Sequence, residues 1–239
     1  MNNIYKKNEI TFAILWIVVY IVSLSIADNI STAIGIEKLI TLPVCIVLAT
    51  ILMMWIYKNG HTEKYGLCAS IIPAGQLLFY IPLALLISVN LWFGVSMNLT
   101  ILETVLYMLS MLLVGFLEEI IFRGLLFQAM CKDDVKTAMI VSSVTFGIGH
   151  IVNLFNGSGA DLFSNLLQVC YAIAAGFLFT ILFYKTKSLW ACIITHGVLN
   201  ALSVFANGAA MTPVREGITA IALIVISTVY AIFISRKCE

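Results

Sequence analysis

Three charged residues in the middle of the chain interrupt an otherwise apolar stretch. They are Glu118, Glu119 and Arg123, within Gly115–Gly124. A charge at the centre of a membrane-spanning helix costs about 2.5–3.5 kcal/mol on insertion scales. Glu119 and Arg123 stand at i and i+4 and can offset each other's charge. Glu118 projects about 100° away from Glu119 and must face something else.

Two histidines share this apolar setting. His150 is followed by Asn153 and His196 by Asn200, at spacings that put each asparagine on the face of its histidine. The remaining histidine, His61, is interpreted as an exposed loop residue. A single histidine within a span often serves only as a hydrogen-bond partner between helices. A cluster of ionisable groups in a membrane is, by contrast, a functional-site hypothesis by default.

Such a set supports more than one chemistry. In hydrolysis, a carboxylate takes a proton from water, a histidine orients that water, and further donors stabilise the oxyanion. A transporter's proton relay or coupling-ion site also uses buried Glu and His. Glu118, His150 and His196 could instead hold zinc with one open position. The H-E-x-x-H signature of soluble zinc proteases is absent, and the spacing does not decide between a metal site and a metal-free one.

The composition indicates which elements must position these residues. Of the 239 residues, 62% are hydrophobic and only 10% are charged, and the mean hydropathy is +1.06. A chain with so little polar surface needs the bilayer as its solvent, which excludes a cytosolic enzyme, a disordered tail and a secreted disulfide scaffold. The formal net charge of +1 gives no basic field for binding nucleic acid.

A spanning helix needs about 20 mostly apolar residues. Eight such stretches are predicted, at 10–27, 39–57, 76–97, 103–130, 136–155, 162–184, 189–207 and 217–235. The gaps between them are too short for a soluble domain. Residues 1–239 are therefore predicted to form a single all-α integral membrane domain of about eight transmembrane helices. A turn is expected at Asn156–Gly159. The six scattered cysteines, the last at Cys238, are expected to be reduced and structural.

Lysine and arginine are distributed unequally over the predicted loops. Ten lie in the loops on one side and two, Lys38 and Arg215, on the other. The positive-inside rule then predicts that both termini are cytoplasmic. At 1.5 Å per residue, Glu118 lies about 19 Å and His150 about 21 Å from the cytoplasmic ends of their spans. His196 and Asn200 lie at about 10 and 16 Å, so the four groups are expected to converge in the middle band of the membrane.

Three short motifs, each in its own apolar span, carry a family resemblance. They are Glu118-Glu119-x-x-x-Arg123, Phe146-x-x-x-His150 and His196-x-x-x-Asn200. In this order they resemble the signature of the CAAX protease and bacteriocin-processing (CPBP) family of intramembrane proteases. The family is also called Abi, or type II CAAX prenyl endopeptidases. The resemblance covers about residues 100–205, which would form the catalytic core, and the eight helices are similar to the family's architecture.

The resemblance implies a role for each motif residue. Glu118 would be the general base, and His150 would help it to activate a water molecule. His196 and Asn200 would stabilise the oxyanion, and Glu119 and Arg123 would orient the site. It also leaves two descriptions of the family open, as zinc metalloproteases and as glutamate-dependent enzymes that require no cofactor. The second is favoured, with Glu118, His150 and His196 as ligands if a metal is bound.

The expected substrate is a peptide or a membrane protein. Bacterial members of the family are associated with bacteriocin self-immunity and peptide maturation, and the composition would suit a bacterial plasma membrane. A substrate backbone can reach the site only through a water-filled cavity, which is expected to open toward the cytoplasm or laterally. A non-catalytic membrane immunity or scaffold protein and a proton-coupled transporter remain as alternatives. No nucleic-acid partner is expected.

Overall fold

The computed structural model describes residues 1–155 and 161–237, and these form helices joined by short connections. A short helix at Asn2–Lys7 precedes eight longer apolar segments. We label them α1 (Glu9–Ile34), α2 (Thr41–Lys58), α3 (Ala74–Leu91), α4 (Ile101–Met130), α5 (Val135–Leu154), α6 (Leu162–Thr186), α7 (Trp190–Leu202) and α8 (Pro213–Lys237). The only extended pairing in the described residues is an isolated bridge between Val95 and Ala206. The all-α prediction is therefore confirmed.

Seven of these segments are long and apolar enough to cross a membrane. The exception is α7, which is shorter even when its terminal 3₁₀ turn is included (Trp190–Phe205). It corresponds to the predicted span at 189–207 and packs inside the bundle, where Cys192, Ile193 and His196 are buried. The chain is an integral membrane protein. The cytoplasmic placement of its termini stays a prediction.

The third span is less regular than its sequence predicts. Only Ile81–Ser88 is α-helical, and 3₁₀ turns flank it at Ala74–Tyr80 and Val89–Leu91. The helix does not continue to residue 97 because the next residues bond to another loop. The amide of Ser96 donates to the carbonyl of Phe205 over 3.0 Å, and the Asn98 side chain donates to Val204 and Ala206.

Several helices start at side-chain caps. Thr100 and Glu103 form a capping box at the start of α4, and Asp134 and Asp161 accept bonds from the first-turn amides of α5 and α6. The turn predicted at Asn156–Gly159 lies outside the described residues. Cys238 lies outside them too, and the five described cysteines are free, as expected.

Different polar contacts join the helices at the two ends of the bundle. At one end, which we call the basic end, Glu9 pairs with Lys64 at 2.8 Å and with Lys132 at 2.7 Å. At the other, which we call the cavity end, Tyr107 contacts Ser203 at 2.9 Å, joining the start of α4 to the turn after α7. The contacts of Glu9 thus join α1 to the connections that follow α2 and α4.

Candidate active site

A fully buried ion pair lies in the middle of α4. Arg123 Nη1 donates to Glu119 Oε1 over 3.1 Å, and neither side chain is exposed to solvent. The guanidinium carbon also lies 4.1 Å from the centre of the Phe146 ring, so cation–π contact adds to the pairing. The i,i+4 pairing predicted from the sequence is confirmed. This pair leaves the Glu118 carboxylate free for other partners.

The backbone around the pair is not an ordinary α-helix. Residues Glu119–Phe127 form a π-helix, a rare conformation that is frequent at functional sites. Its wider turns change the bonding of the backbone, and the hydroxyl of Ser142 on α5 donates to the carbonyl of Phe122 over 2.8 Å. This bond joins α4 to the helix that carries the second motif.

His196 lies between the two glutamates. Its Nδ1 is 2.8 Å from Glu119 Oε1, and its Nε2 is 3.3 Å from Glu118 Oε2. A protonated His196 together with Arg123 would balance the charges of both carboxylates. The four groups therefore form one contiguous charge network.

Two glycines bring His196 to this position. A Cβ atom on Gly115 of α4 would lie 2.5 Å from the backbone nitrogen of Gly197 on α7. Small residues permit such close approach of helix backbones in membranes. Because Gly197 directly follows His196, and Glu118 lies one turn after Gly115, this crossing sets the imidazole against the carboxylates.

Tyr20 is a partner of Glu118 that sequence reasoning missed. Its buried hydroxyl, on α1, donates to Glu118 Oε1 over 2.7 Å. The residue lies outside the region covered by the three motifs, and 98 positions separate it from Glu118. The available signal was a tyrosine inside an apolar span, since a buried tyrosine hydroxyl usually has a hydrogen-bond partner.

Glu118 faces a polar cavity of about 500 Å³. Its side chain remains 14% exposed there, whereas Glu119 lies behind it with no exposure. His150 and Asn200 also line the cavity. The structure thus places Glu118, His150 and Asn200 around one space, with His196, Glu119 and Arg123 packed behind the first of them.

The hydrogen bond that His150 makes through Nδ1 determines whether its other ring nitrogen, Nε2, can act as an acceptor. Its Nδ1 lies 3.1 Å from the carbonyl of Phe146, and a carbonyl only accepts, so Nδ1 carries the proton. The neutral ring then has Nε2 as an acceptor. The backbone carbonyl of His150 accepts a bond from Asn165 on α6 over 2.8 Å, which holds the residue where α-helix gives way to a 3₁₀ turn.

Asn200 contributes a polar side chain to the wall of the cavity. Among the described residues its side-chain amide has no hydrogen-bond partner, and it is directed to the cavity. His196, which the resemblance pairs with it for oxyanion stabilisation, does not line the cavity and contacts the two carboxylates instead. Asn153, which shares a face with His150, donates to Gln168 over 2.9 Å, and both line the cavity.

The same geometry can be compared with the needs of a metal. No group of three or more His, Cys, Asp or Glu side chains in the described residues has an arrangement suited to hold an ion. Both ring nitrogens of His196 already face carboxylates. Glu118, His150 and His196 therefore do not fit a zinc ligand set in this arrangement.

Comparisons with known proteins agree with the motifs. Residues 100–202 match the model of the family described as "Type II CAAX prenyl endopeptidase Rce1-like". The chain is also 29% identical over 204 residues to "Putative membrane peptidase YdiL" of Bacillus subtilis (strain 168). That alignment covers 79% of this chain and 77% of the relative. The resemblance indicated by the three motifs is thereby confirmed, and it is to the Rce1-like type II CAAX prenyl endopeptidases, a family of membrane peptidases.

Proposed function

We propose that this protein is an intramembrane endopeptidase that uses Glu118 as its general base. The observation that carries the proposal is the environment of Glu118. It is the motif carboxylate that reaches the cavity, and it is held there by Tyr20 and His196. The proposed substrate is a peptide or membrane-associated protein at a bacterial plasma membrane.

In the proposed reaction, Glu118 takes a proton from a water molecule that His150 Nε2 orients as an acceptor. The resulting hydroxide attacks the carbonyl carbon of the scissile peptide bond. The side-chain amide of Asn200 donates to the oxyanion that forms. Glu118 then passes its proton to the leaving nitrogen as the C–N bond breaks, which frees a carboxylic acid and an amine and leaves Glu118 ionised.

His196, Glu119 and Arg123 have a supporting role in this proposal. Because Glu118 gains and loses a proton in each cycle, its surroundings must accommodate both charge states. His196 contacts Glu118 on one side and the Glu119–Arg123 pair on the other. We assign these three residues to positioning the base and balancing its charge, with Tyr20 fixing the second carboxylate oxygen.

The test is cleavage of a quenched-peptide library by the purified protein in detergent. Glu118→Gln and Asn200→Ala should lower the cleavage rate, the first to background and the second by about 10²–10³-fold, the usual loss for an oxyanion donor. Glu63→Gln, a glutamate in the loop after α2, is the matched control and should keep wild-type activity. Cleavage by Glu118→Gln at the wild-type rate would refute the assignment.

Metal independence is a separate part of the proposal. The poor fit of Glu118, His150 and His196 to a zinc site supports a metal-free base. Cleavage should therefore persist after prolonged dialysis against a strong zinc chelator. Loss of activity under chelation, with recovery on adding zinc, would instead assign the reaction to a metal centre.

Bacteriocin self-immunity and peptide maturation are the roles we propose for such a peptidase. Both would require hydrolysis, so Glu118→Gln should abolish the protective or processing phenotype in cells. An immunity phenotype that survives Glu118→Gln at normal protein levels would favour a non-catalytic binding role.

A further inference from the structure

The cavity that holds Glu118 is built from one end of the bundle. On α1 its lining runs from Tyr20 to Thr32, in the half of that helix nearer the cavity end. On α4 the lining runs from Tyr107 to Phe122, and Tyr107 is the residue nearer the cavity end. The last residues of α3, α5 and α7 and the first turns of α6 and α8 also contribute to the lining.

Polar groups continue from the base to the mouth of this cavity. Asp28 lies eight residues beyond Tyr20 on α1, a rise of about 12 Å. It pairs there with Lys38 at 2.8 Å, in the connection between α1 and α2, and both line the cavity with Glu37. Burial alone would lower the pKa of Lys38, but the Asp28 carboxylate outweighs it and the pKa is raised, so Lys38 stays charged at neutral pH.

The opposite end is closed below Glu118. Leu117, Ile120 and Phe127 on α4 are fully buried. Beyond them Trp55 and Tyr65 stack with ring centres 6.1 Å apart, and Tyr65, in the loop after α2, is only 1% exposed. Among the described residues, none at the basic end lines the cavity. Water and substrate therefore have their route to Glu118 from the cavity end.

The charge distribution orients these two ends in a membrane. Ten of the thirteen basic residues belong to the basic end, whereas the cavity end has two, Lys38 and Arg215. The positive-inside rule places the basic end in the cytoplasm. We infer that the active-site cavity opens to the extracytoplasmic side, so that the substrate is a peptide segment presented from outside the cell membrane. This differs from the cytoplasmic opening expected from the sequence, and the nature of what enters rests on the proposed peptidase function.

Cysteine labelling on intact cells tests the direction of access without depending on cleavage. Thr32→Cys places a thiol on the cavity wall near its mouth, and Lys58→Cys places one at the basic end. Each is made in a full-length chain in which Cys68, Cys131, Cys170 and Cys238 are replaced by serine. A membrane-impermeant maleimide should label Thr32→Cys on intact cells at least tenfold more than Lys58→Cys. In inverted membrane vesicles the preference should reverse, and any other pattern overturns the inference.

A second measurement separates this inference from the proposed function. A membrane-impermeant quenched peptide that the purified protein cleaves should be hydrolysed by intact cells carrying the wild type, and not by cells carrying Glu118→Gln. Labelling of Thr32→Cys with the bulky maleimide should lower that rate at least tenfold. The expected labelling without any peptide cleavage by purified protein would remove the peptidase proposal and leave the access route standing. Cleavage only after the cells are permeabilised would overturn the access route and leave the peptidase standing.

Discussion

At the scale of single residues, the hydroxyl of Tyr20 tests how Glu118 is held. Tyr20→Phe removes one hydrogen bond to a carboxylate, an interaction worth about 1.5–3 kcal/mol. We expect kcat to fall by about 10–100-fold with little change in KM, because substrate contacts stay in place. Tyr57→Phe, at a position 77% exposed, is the matched control and should change neither quantity.

The buried Arg123 makes a separate prediction about stability. Arg123→Met removes the permanent cation beside the buried Glu119, so the free energy of unfolding should fall by about 3–5 kcal/mol. The double variant Glu119→Gln/Arg123→Met should recover part of that loss, and denaturant unfolding in detergent measures both. Lys132→Met removes the lysine of a largely exposed pair with Glu9 and should cost about 1 kcal/mol or less. Equal losses for Arg123→Met and Lys132→Met would contradict the importance of burial.

What the sequence could predict at this scale was local. The pairing of Glu119 with Arg123 follows from four-residue spacing on one helix, and the structure has it. The contacts of Glu118 with Tyr20 and His196 join three different helices, and no spacing along the chain encodes them. Sequence could therefore indicate that Glu118 needs a partner, but not which residue that partner is.

At the scale of the elements, the crossing of α4 and α7 sets the distance between His196 and the carboxylates. Gly115→Ala should force these backbones apart, because its Cβ would meet the backbone of Gly197 at 2.5–2.6 Å. We expect cleavage activity to fall at least tenfold and the thermal unfolding midpoint in detergent to drop. Gly217→Ala on α8, where the added Cβ has no neighbour within 4 Å, should leave both unchanged. Activity retained by Gly115→Ala would show that the crossing does not position the site.

The elements also show where reading the sequence was incomplete. Hydropathy predicted the helices well, since length and apolar character are what a bilayer selects. It could not predict the π-helix at Glu119–Phe127, because a helical projection assumes a constant turn. The hydropathy prediction also extended α3 to residue 97, because the apolar composition there does not indicate the hydrogen bonds that Ser96 and Asn98 make to another loop. In both cases the deviation depends on contacts with a different element.

At the scale of the whole molecule, the bundle has a lipid-facing surface and a polar cavity within about one helical turn of each other. Val22 on α1 is 49% exposed on the outer surface, while Ser25, three residues later, lines the cavity. A lysine facing lipid at this depth costs about 2.5–3.5 kcal/mol. Val22→Lys should therefore lower the yield of folded protein in lipid vesicles much more than Ser25→Lys does. Similar yields from both variants would argue against a water-filled cavity beside Ser25.

The π-helix of α4 also bears on which length changes the chain can tolerate. A π-helix closes each hydrogen bond over five residues, where an α-helix needs only four. Removing a single residue between Glu119 and Phe127 would let α4 relax to uniform α-helix and change the angles at which the side chains of this segment project relative to Glu118. The residues of this segment would then project at angles that no longer match their present partners on the neighbouring helices. In this segment the number of residues is as much a part of the geometry of the candidate site as their identity, so deletions should be harder to accommodate than conservative substitutions.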